Sequence, residues 1–306
     1  MSRPPLALPS SARLRARSWR ATLDVLWRFS RPHTLIGTTL SILGIYALGP
    51  TDAFDLFWTI VAGAGVNLYI VGVNQVQDVE IDRVNKPELP IAAGELSLAV
   101  ARRIVGACAA LALVLALTQG LIELGAVGLG LAIGWAYSCP PLHLKRFPAL
   151  ASLSITLVRT LVVNLGVWLH FSDGGAIHPG VWALCAITLP FSLAIAILKD
   201  VPDAEGDRRF DIATFTVRVG PRPVLGAGLA ALTTGLAAMA VLGPALLSEA
   251  SATVLIAGHV AALALLWWWA RGLDPARTET TVTFYQRVWR LFFLEYVLIP
   301  AAFLIG

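Results

Sequence analysis

Long stretches of apolar residues separated by short polar segments dominate the chain. A helix needs about 20 apolar residues to cross a bilayer core, and nine stretches approach or exceed this length. The pattern therefore predicts an all-α membrane protein with nine transmembrane helices at 33–49, 54–77, 97–118, 120–138, 149–171, 177–199, 222–242, 250–270 and 284–305.

The composition agrees with a membrane protein. Of 306 residues, 57 % are hydrophobic and 14 % are charged, and the mean hydropathy is +0.74. These values exclude a water-soluble enzyme and a disordered chain. A net charge of +4 is too thinly spread for a basic groove that binds nucleic acid. The three cysteines lack the spacing of a metal site or a disulfide framework, and we interpret them as packing residues.

The basic residues predict the orientation of the spans. Short cytoplasmic loops keep Lys and Arg, whereas translocated loops are poor in them. Of the 23 basic residues, all except Arg159 fall in the N-terminal segment or in every second loop. We therefore expect the N-terminus and these loops to be cytoplasmic, in a protein of the cell inner membrane whose active site faces the cytoplasm.

Residues 1–32 form a basic N-terminal segment before the nine-helix domain at 33–306. The segment lacks the apolar core and cleavage site of a signal peptide. From about 13 to 31, basic residues and an apolar stripe recur at helical spacing, which predicts an amphipathic helix in the membrane interface. A solvated run of charges that only sets the topology is the alternative.

Two short loops on the predicted cytoplasmic side hold ten of the 19 acidic residues. In the first loop Asn74, Asp78 and Asp82 are spaced four apart, so a helix places them along one side. In the second loop Asp203 and Asp207 are also four apart, and Asp200 precedes them by three. We refer to these two sets of three residues as the first and the second Asp cluster.

Like charges at this spacing repel one another unless a cation lies between them. Mg²⁺ binds a few carboxylates and completes its oxygen shell with water and substrate phosphates. With Lys86, Lys199 and Arg208 nearby, the two clusters predict a site for a diphosphate held through metal ions. For either cluster alone, a hydrated acidic loop without a ligand is the competing interpretation.

Several sequence stretches resemble one known family. N-Q-V-Q-D-V-E-I-D at 74–82 and K-D-V-P-D-A-E-G-D at 199–207 are similar to the two Asp motifs of the UbiA-type intramembrane aromatic prenyltransferases. R-P-H-T-L-I-G-T at 31–38, V-N-K-P-E-L-P-I-A-A-G-E at 84–95 and Y-S-C-P-P-L-H-L-K-R at 137–146 resemble the homogentisate prenyltransferase branch. The resemblance covers about 28–220, and that family also has nine helices.

This resemblance implies transfer of a polyprenyl group from its diphosphate to homogentisate, with loss of CO₂, toward tocopherol or plastoquinone precursors. The fold it implies is nine helices around a central cavity. The implied Mg²⁺ ligands are Asn74, Asp78 and Asp82 for one ion and Asp200, Asp203 and Asp207 for the other, with Asp78, Asp82, Asp203 and Asp207 as the catalytic carboxylates. Candidates for binding the diphosphate are Arg31, Lys86, Lys145 and Lys199, although each of these also fits a purely topological role.

Residues at the cytoplasmic end of span four are candidates for binding the aromatic acceptor. Tyr137 and His143 lie where they can touch the ring, although Tyr is also common at membrane interfaces. Homogentisate carries a carboxylate, so we expect a cation beyond those on the diphosphate. His143, Lys145 and Arg146 are the nearest set.

Two charged residues fall inside predicted spans. Arg159 lies near the middle of span five and Glu295 near the middle of span nine. An unpaired charge at this depth costs about 3 kcal/mol on insertion scales, so such residues face a cavity or each other. We predict that Arg159 and Glu295 approach closely or line the same cavity, and Arg159 is a further candidate for binding substrate.

Two alternatives stay open at this point. An ion-coupled transporter also has many spans with polar residues, but transporter sites lie near the membrane midplane, and the Asp clusters lie at one surface. The other is a prenyltransferase of the same family that acts on a chlorophyllide, a hydroxybenzoate or a dihydroxynaphthoate. The substrates therefore expected are a prenyl diphosphate and an aromatic acceptor, and no protein partner is implied.

Overall fold

A computed structural model describes residues 19–49 and 52–306, and the part it describes is a bundle of helices without strands. A single turn of 3₁₀-helix at Leu144–Arg146 precedes α7, and a π-helical turn at Val158–Val162 joins α7 to α8. The helices are α1 (Trp19–Phe29), α2 (Pro32–Tyr46), α3 (Ala53–Gln77), α4 (Val79–Asn85), α5 (Leu98–Gln119), α6 (Leu121–Ser138), α7 (Pro148–Leu157), α8 (Val163–Phe171), α9 (Pro179–Leu198), α10 (Ala204–Arg209), α11 (Phe215–Val219), α12 (Pro221–Leu246), α13 (Ala252–Ala270) and α14 (Thr278–Ile305).

Eight helices in the described residues are long and apolar enough to cross a membrane, with α7, the π turn and α8 counted as one. They correspond to the second to ninth predicted spans. The first predicted span, 33–49, corresponds to α2, which has 15 residues. At 1.5 Å per residue α2 is about 22 Å long, shorter than a hydrocarbon core of about 30 Å. The total of nine spans therefore stays a prediction, as does the side of the membrane on which each loop lies.

Six helices close a ring around a central space, with α7 and α8 counted as one. Going round, α2 packs on α3, α3 on α6, α6 on α8, α7 on α9, α9 on α14, and α14 again on α2. Outside the ring, α5 packs on α3 and α6, α12 packs on α9, and α13 packs on α12 and α14. Large apolar side chains on the outer helices, such as Leu117, Val241 and Trp268, are exposed, as expected where lipid surrounds the bundle.

The contact between α3 and its neighbours depends on small residues. A Cβ at Gly72 would lie 2.5 Å from Cγ2 of Val105 on α5, and a Cβ at Gly134 on α6 would lie 2.6 Å from Cγ1 of Ile70. Glycine at these positions lets the helix backbones approach closely, which is a common way for helices to associate in membranes.

The helix ends follow from local sequence. Proline stands at the start of α2, α7, α9 and α12, where its missing N–H would have no intrahelical partner. Asp52 caps α3 by accepting a hydrogen bond from the Phe54 N–H at 3.0 Å. Ser97 accepts a bond from the Val100 N–H at the start of α5.

Part of the predicted interfacial helix is present as α1. Its apolar stripe, Trp19, Leu23 and Trp27, is exposed on the surface of the bundle. Arg28 anchors the helix to the first acidic loop through Glu95, at 2.6 Å, and through the carbonyl of Glu88. The basic residues before Trp19 lie outside the described residues.

Candidate active site

The first Asp cluster lies where α3 ends and α4 begins. The helical hydrogen-bond pattern continues across the junction, because the Asp78 N–H donates to the Asn74 carbonyl at 2.9 Å and the Asp82 N–H to the Asp78 carbonyl at 2.7 Å. Asn74 also donates from its side chain to Asp78 Oδ2 at 2.7 Å. The spacing of four residues therefore does place the three side chains along one side of a helical path.

The second Asp cluster follows the end of α9. Asp200 lies two residues beyond that helix, and Asp203 stands at the N-terminal cap position of α10. Asp207 lies on α10, with its N–H bonded to the Asp203 carbonyl at 3.0 Å. All three residues are buried.

Asn85, at the end of α4, joins the two clusters. It donates from Nδ2 to Asp207 Oδ1 at 3.3 Å and accepts at Oδ1 from the Gly206 N–H at 3.0 Å. A Cβ at position 206 would overlap Asn85 Oδ1, so the close approach requires glycine. These contacts hold the first acidic loop directly against the second.

Three lysines pair with three of the aspartates. Lys145 binds Asp78, and Lys86, next to Asn85, reaches across to Asp203. Lys199 binds Asp200 at 2.5 Å and also interacts with the Tyr137 hydroxyl. Each ammonium group thus lies within reach of an anion that enters between the two clusters.

The remaining two aspartates lack a lysine partner. Asp82 is 6 % exposed, and its Oδ2 has no hydrogen-bond donor. Burial raises the pKa of Asp82 to about 6, with a smaller contribution from Asp78 and Asp203, although Arg31 and Lys86 act in the opposite direction. Burial and the nearby Asp200 and Asp203 raise the pKa of Asp207 to about 7. Carboxylates crowded in this way favour a cation between them.

The donor set fits a hard divalent cation. Within the described residues, no three acidic, His or Cys side chains already stand together as a metal cage, and lysines pair with three of the five aspartates. The unpartnered Asp82 oxygen and the weakly bonded Asp207 nevertheless offer the oxygen ligands that Mg²⁺ prefers.

A cavity of about 990 Å³ opens between the two clusters and continues into the helix ring. It runs along α6 from Tyr137 to Glu123, which at 1.5 Å per residue is a depth of about 21 Å. Below the charged mouth its walls are mostly apolar, with Val66, Ile70 and Val163 among the lining residues. The site thus combines a polar end that binds an anion with a long apolar compartment.

Most of the predicted site residues line this cavity. They are Arg31, Asn74, Asp78, Asp82, Lys86, Tyr137, Lys145, Arg159, Lys199, Asp200, Asp203 and Asp207. His143 and Arg146 are not among the lining residues. Arg146 is exposed, and His143 lies in the loop two residues before Lys145. Burial and the charges of Lys145 and Arg146 lower the pKa of His143. The expected trio of His143, Lys145 and Arg146 thus contributes one cavity residue, Lys145.

The predicted pairing of Arg159 with Glu295 is wrong. Glu295 is fully buried between helices and pairs with His259 Nε2 on α13 at 3.1 Å, away from the cavity. Arg159 lines the cavity, where its guanidinium carbon lies 4.6 Å from the ring centre of Trp289. The sequence indicates the depth of both charges but not the helix face on which each lies. In the structure the partner of Glu295 is therefore His259 and not Arg159.

Two residues of the candidate site, Asn85 and Trp289, were missed from the sequence. Asn85 lies within the V-N-K-P-E-L-P stretch, but an amide in an acidic loop gives no local sign that it bridges to a second loop. Trp289 and Arg159 lie in different spans, and nothing in the helical pattern shows that they meet. The only sign in the sequence was that Asn85 is a polar residue within the V-N-K-P-E-L-P stretch that resembles the family.

The chain belongs to the UbiA prenyltransferase family, whose pattern it matches over residues 35–295. It is 45 % identical to the homogentisate phytyltransferase of Synechocystis sp., over 92 % of this chain and 96 % of that protein. It is 36 % identical to homogentisate phytyltransferase 1 of Arabidopsis thaliana, a chloroplastic protein, over 93 % of this chain and 76 % of that protein. The protein is therefore a multi-pass membrane prenyltransferase.

The fold agrees with that of a solved family member. A UbiA homologue from Archaeoglobus fulgidus, whose structure was determined bound to GPP and Mg²⁺, superposes with a TM-score of 0.63. The match covers 90 % of this chain and 99 % of that chain at 19 % identity. At this identity the likeness establishes the shared helical fold.

Proposed function

We propose that the protein transfers a polyprenyl group from its diphosphate to homogentisate in a Mg²⁺-dependent reaction, with loss of the acceptor carboxylate as CO₂. The product is a prenylated methylquinol, a precursor of the tocopherol or plastoquinone type. The observation that carries the proposal is the pair of Asp clusters, joined by Asn85, at the mouth of an apolar cavity. The 45 % identity to a homogentisate phytyltransferase supports homogentisate as the acceptor.

The polar end suits the diphosphate of the donor. The two Asp clusters, with Asn74, supply the oxygen ligands for divalent metal, which when bound neutralises the charge of the departing diphosphate. The carboxylates of the two clusters pair with three lysines, Lys86, Lys145 and Lys199. If these carboxylates held divalent metal, the three ammonium groups would be free to bind the phosphate oxygens. Arg31, in the cavity wall near Asp82, adds a fourth cation.

The apolar part of the cavity suits the prenyl chain. Breaking the bond between the allylic carbon and the diphosphate leaves an electron-poor carbon that water would capture. A cavity lined by Val66, Ile70, Val163 and similar residues keeps water away from this carbon. The electron-rich ring of the acceptor then forms the new carbon–carbon bond, and the ring proton leaves. The bond between the acceptor CH₂ and its carboxylate breaks to release CO₂, and the CH₂ carbon takes up a proton to become the methyl group of the quinol.

The location follows from the same arrangement. A prenyl chain is as apolar as lipid, so it can reach the cavity from the bilayer while its diphosphate remains at the membrane surface. We propose that this surface is the cytoplasmic one, in the inner membrane of a cell, because the basic residues cluster in the loops around the Asp clusters.

The proposal is tested with purified protein in lipid nanodiscs. The protein is incubated with Mg²⁺, homogentisate and, in separate reactions, phytyl, geranylgeranyl and solanesyl diphosphate, and the products are identified by mass. We expect a decarboxylated prenyl quinol with at least one donor. Parallel reactions with 4-hydroxybenzoate and 1,4-dihydroxy-2-naphthoate test the other acceptors, and a product formed with one of these alone would overturn the assignment of homogentisate.

A further inference from the structure

Arg159 is a half-buried cation without an anion, and its Nη1 atom is buried. It lies on the π-helical turn Val158–Val162, and its guanidinium group stacks on the rings of Trp289, at 4.6 Å, and Phe292, at 5.7 Å. No carboxylate in residues 19–49 or 52–306 pairs with it, and its Nη1 has no hydrogen-bond acceptor. Inside a membrane protein, such a charge calls for an anionic partner.

Trp289 provides a second unsatisfied donor in the same wall. Its indole Nε1 is buried and has no acceptor, and its ring lies edge-on against His33 at 5.0 Å between ring centres. Buried donors almost always have acceptors, and each unmade bond is costly. Two such donors on neighbouring residues that line one cavity indicate a ligand that brings acceptor oxygens.

The diphosphate has lysine cations of its own at the Asp clusters. Lys86, Lys145 and Lys199 all lie at the Asp clusters. Arg159 is eleven residues into the span that begins at Pro148, which corresponds to about 16 Å along a helix. Because Lys145 lies just before Pro148, Arg159 lies deeper in the cavity than the lysine that binds Asp78 and can form a second anion site.

The walls of this deeper site suit a flat aromatic molecule. On α14 the residues that face the cavity include Tyr285, Trp289 and Phe293, which recur at helical spacing. Aromatic side chains stack on aromatic ligands, and Arg binds carboxylates through its forked donors. A site with one arginine and several aromatic rings fits an aryl carboxylate.

We propose that Arg159 and the Trp289 indole N–H bind the carboxylate of the aromatic acceptor, so that Arg159 selects aryl carboxylic acids over plain phenols. This proposal rests on the proposed function. The carboxylate points away from the Asp clusters, which places the ring between Arg159 and the diphosphate. The ring carbon that attacks is then directed toward the reacting end of the prenyl chain.

Equilibrium binding without turnover tests the assignment. Binding of labelled homogentisate is measured by equilibrium dialysis against protein in nanodiscs, without prenyl diphosphate. Binding of its methyl ester, which lacks the negative charge, is measured by competition with the labelled compound. We expect Arg159→Met to weaken homogentisate binding about 10- to 100-fold, the range for loss of a charged hydrogen bond. Binding of the ester should change less than twofold, and Arg159→Lys should recover part of the affinity for the acid.

Arg287→Met is the matched control. Arg287 also stacks on a tryptophan, Trp269 at 5.6 Å, but it does not line the cavity. This variant should bind both compounds as the wild type does. Unchanged homogentisate affinity in Arg159→Met would overturn the proposal, as would an equal loss for acid and ester.

The same assay separates this proposal from the proposed function. If the wild type binds 4-hydroxybenzoate or 1,4-dihydroxy-2-naphthoate in place of homogentisate, homogentisate is the wrong acceptor. Dependence of that binding on Arg159 would still support the carboxylate site. If a bound aryl carboxylate is insensitive to Arg159→Met, the site is wrong whatever the acceptor.

Discussion

The side-chain oxygen of Asn85 accepts a hydrogen bond from the backbone N–H of Gly206, 121 positions later in the chain, at 3.0 Å. Asn85 ends α4, directly after the first Asp cluster, and Gly206 lies between Asp203 and Asp207. This amide contact, with the Lys86–Asp203 pair, holds together the two loops that we propose act on one diphosphate. The geometry of the site therefore depends on this contact as well as on the carboxylates.

Asn85→Ala should lower kcat/KM for the donor about 10-fold or more, because the two hydrogen bonds that hold the loops together are lost. Gly206→Ala should have a similar effect, since its Cβ would displace the Asn85 side chain. In the double variant the clash is gone, so its loss should not exceed that of Asn85→Ala. Arg83→Ala, on the exposed side of α4, is the control. Losses that multiply in the double variant would show that the two residues act separately.

Removing one carboxylate from either Asp cluster should abolish turnover. Asp78→Asn and Asp203→Asn each remove a charge near the departing diphosphate, which we expect to reduce kcat about 100-fold or more. Glu80→Gln and Glu205→Gln are matched controls, because each lies two residues after the substituted Asp, on the short helix that follows it, but is exposed. Turnover is measured at saturating Mg²⁺, and a near wild-type rate in either Asp variant would show that one cluster is dispensable.

Lys145 and Arg146 should differ although they are adjacent. Lys145 is buried and binds Asp78, whereas Arg146 is exposed and off the cavity. Lys145→Met should therefore raise the donor KM or lower kcat by about 10-fold, the range for a charged hydrogen bond. Arg146→Gln should leave the KM of both substrates within about twofold. An acceptor KM that rises in Arg146→Gln would restore the sequence-based expectation that this loop binds the acceptor.

The buried pair of His259 and Glu295 should affect stability and leave catalysis unchanged. His259 Nδ1 contacts the Leu255 carbonyl at 2.6 Å, so Nε2 needs Glu295 as its partner. Glu295→Leu leaves the imidazole unpaired and should destabilise the fold by about 1–3 kcal/mol. The amide side chain in Glu295→Gln can donate to Nε2 or accept from it, so this variant should unfold near the wild-type temperature. Thermal unfolding in detergent compares both variants with the wild type. A melting temperature of Glu295→Leu equal to that of the wild type would show that the pair does not stabilise the fold.

The sequence predicts the helical class and the local arrangement of each Asp cluster, because both depend on short-range periodicity. Asn74, Asp78 and Asp82 needed only the four-residue spacing of a helix. The length of α2 was overestimated, since apolar residues continue past the point where the helix ends at Tyr46.

Contacts between distant helices could not be predicted in the same way. The depth of Arg159 and Glu295 in their spans was readable from the sequence, but their partners Trp289 and His259 depend on how each helix is rotated in the ring. The bridge from Asn85 to Gly206 likewise depends on how two loops pack. Such contacts follow from tertiary packing, for which a single sequence carries little signal.

We propose that the protein transfers a prenyl group to homogentisate with loss of CO₂. Homogentisate labelled in its carboxyl carbon tests this reaction directly. The purified protein is incubated with this compound, Mg²⁺ and a prenyl diphosphate, and labelled CO₂ and prenyl quinol are quantified together. We expect one CO₂ released for each quinol formed, with both abolished by EDTA. A prenylated product that retains the label, or product formation that is unchanged in EDTA, would contradict it.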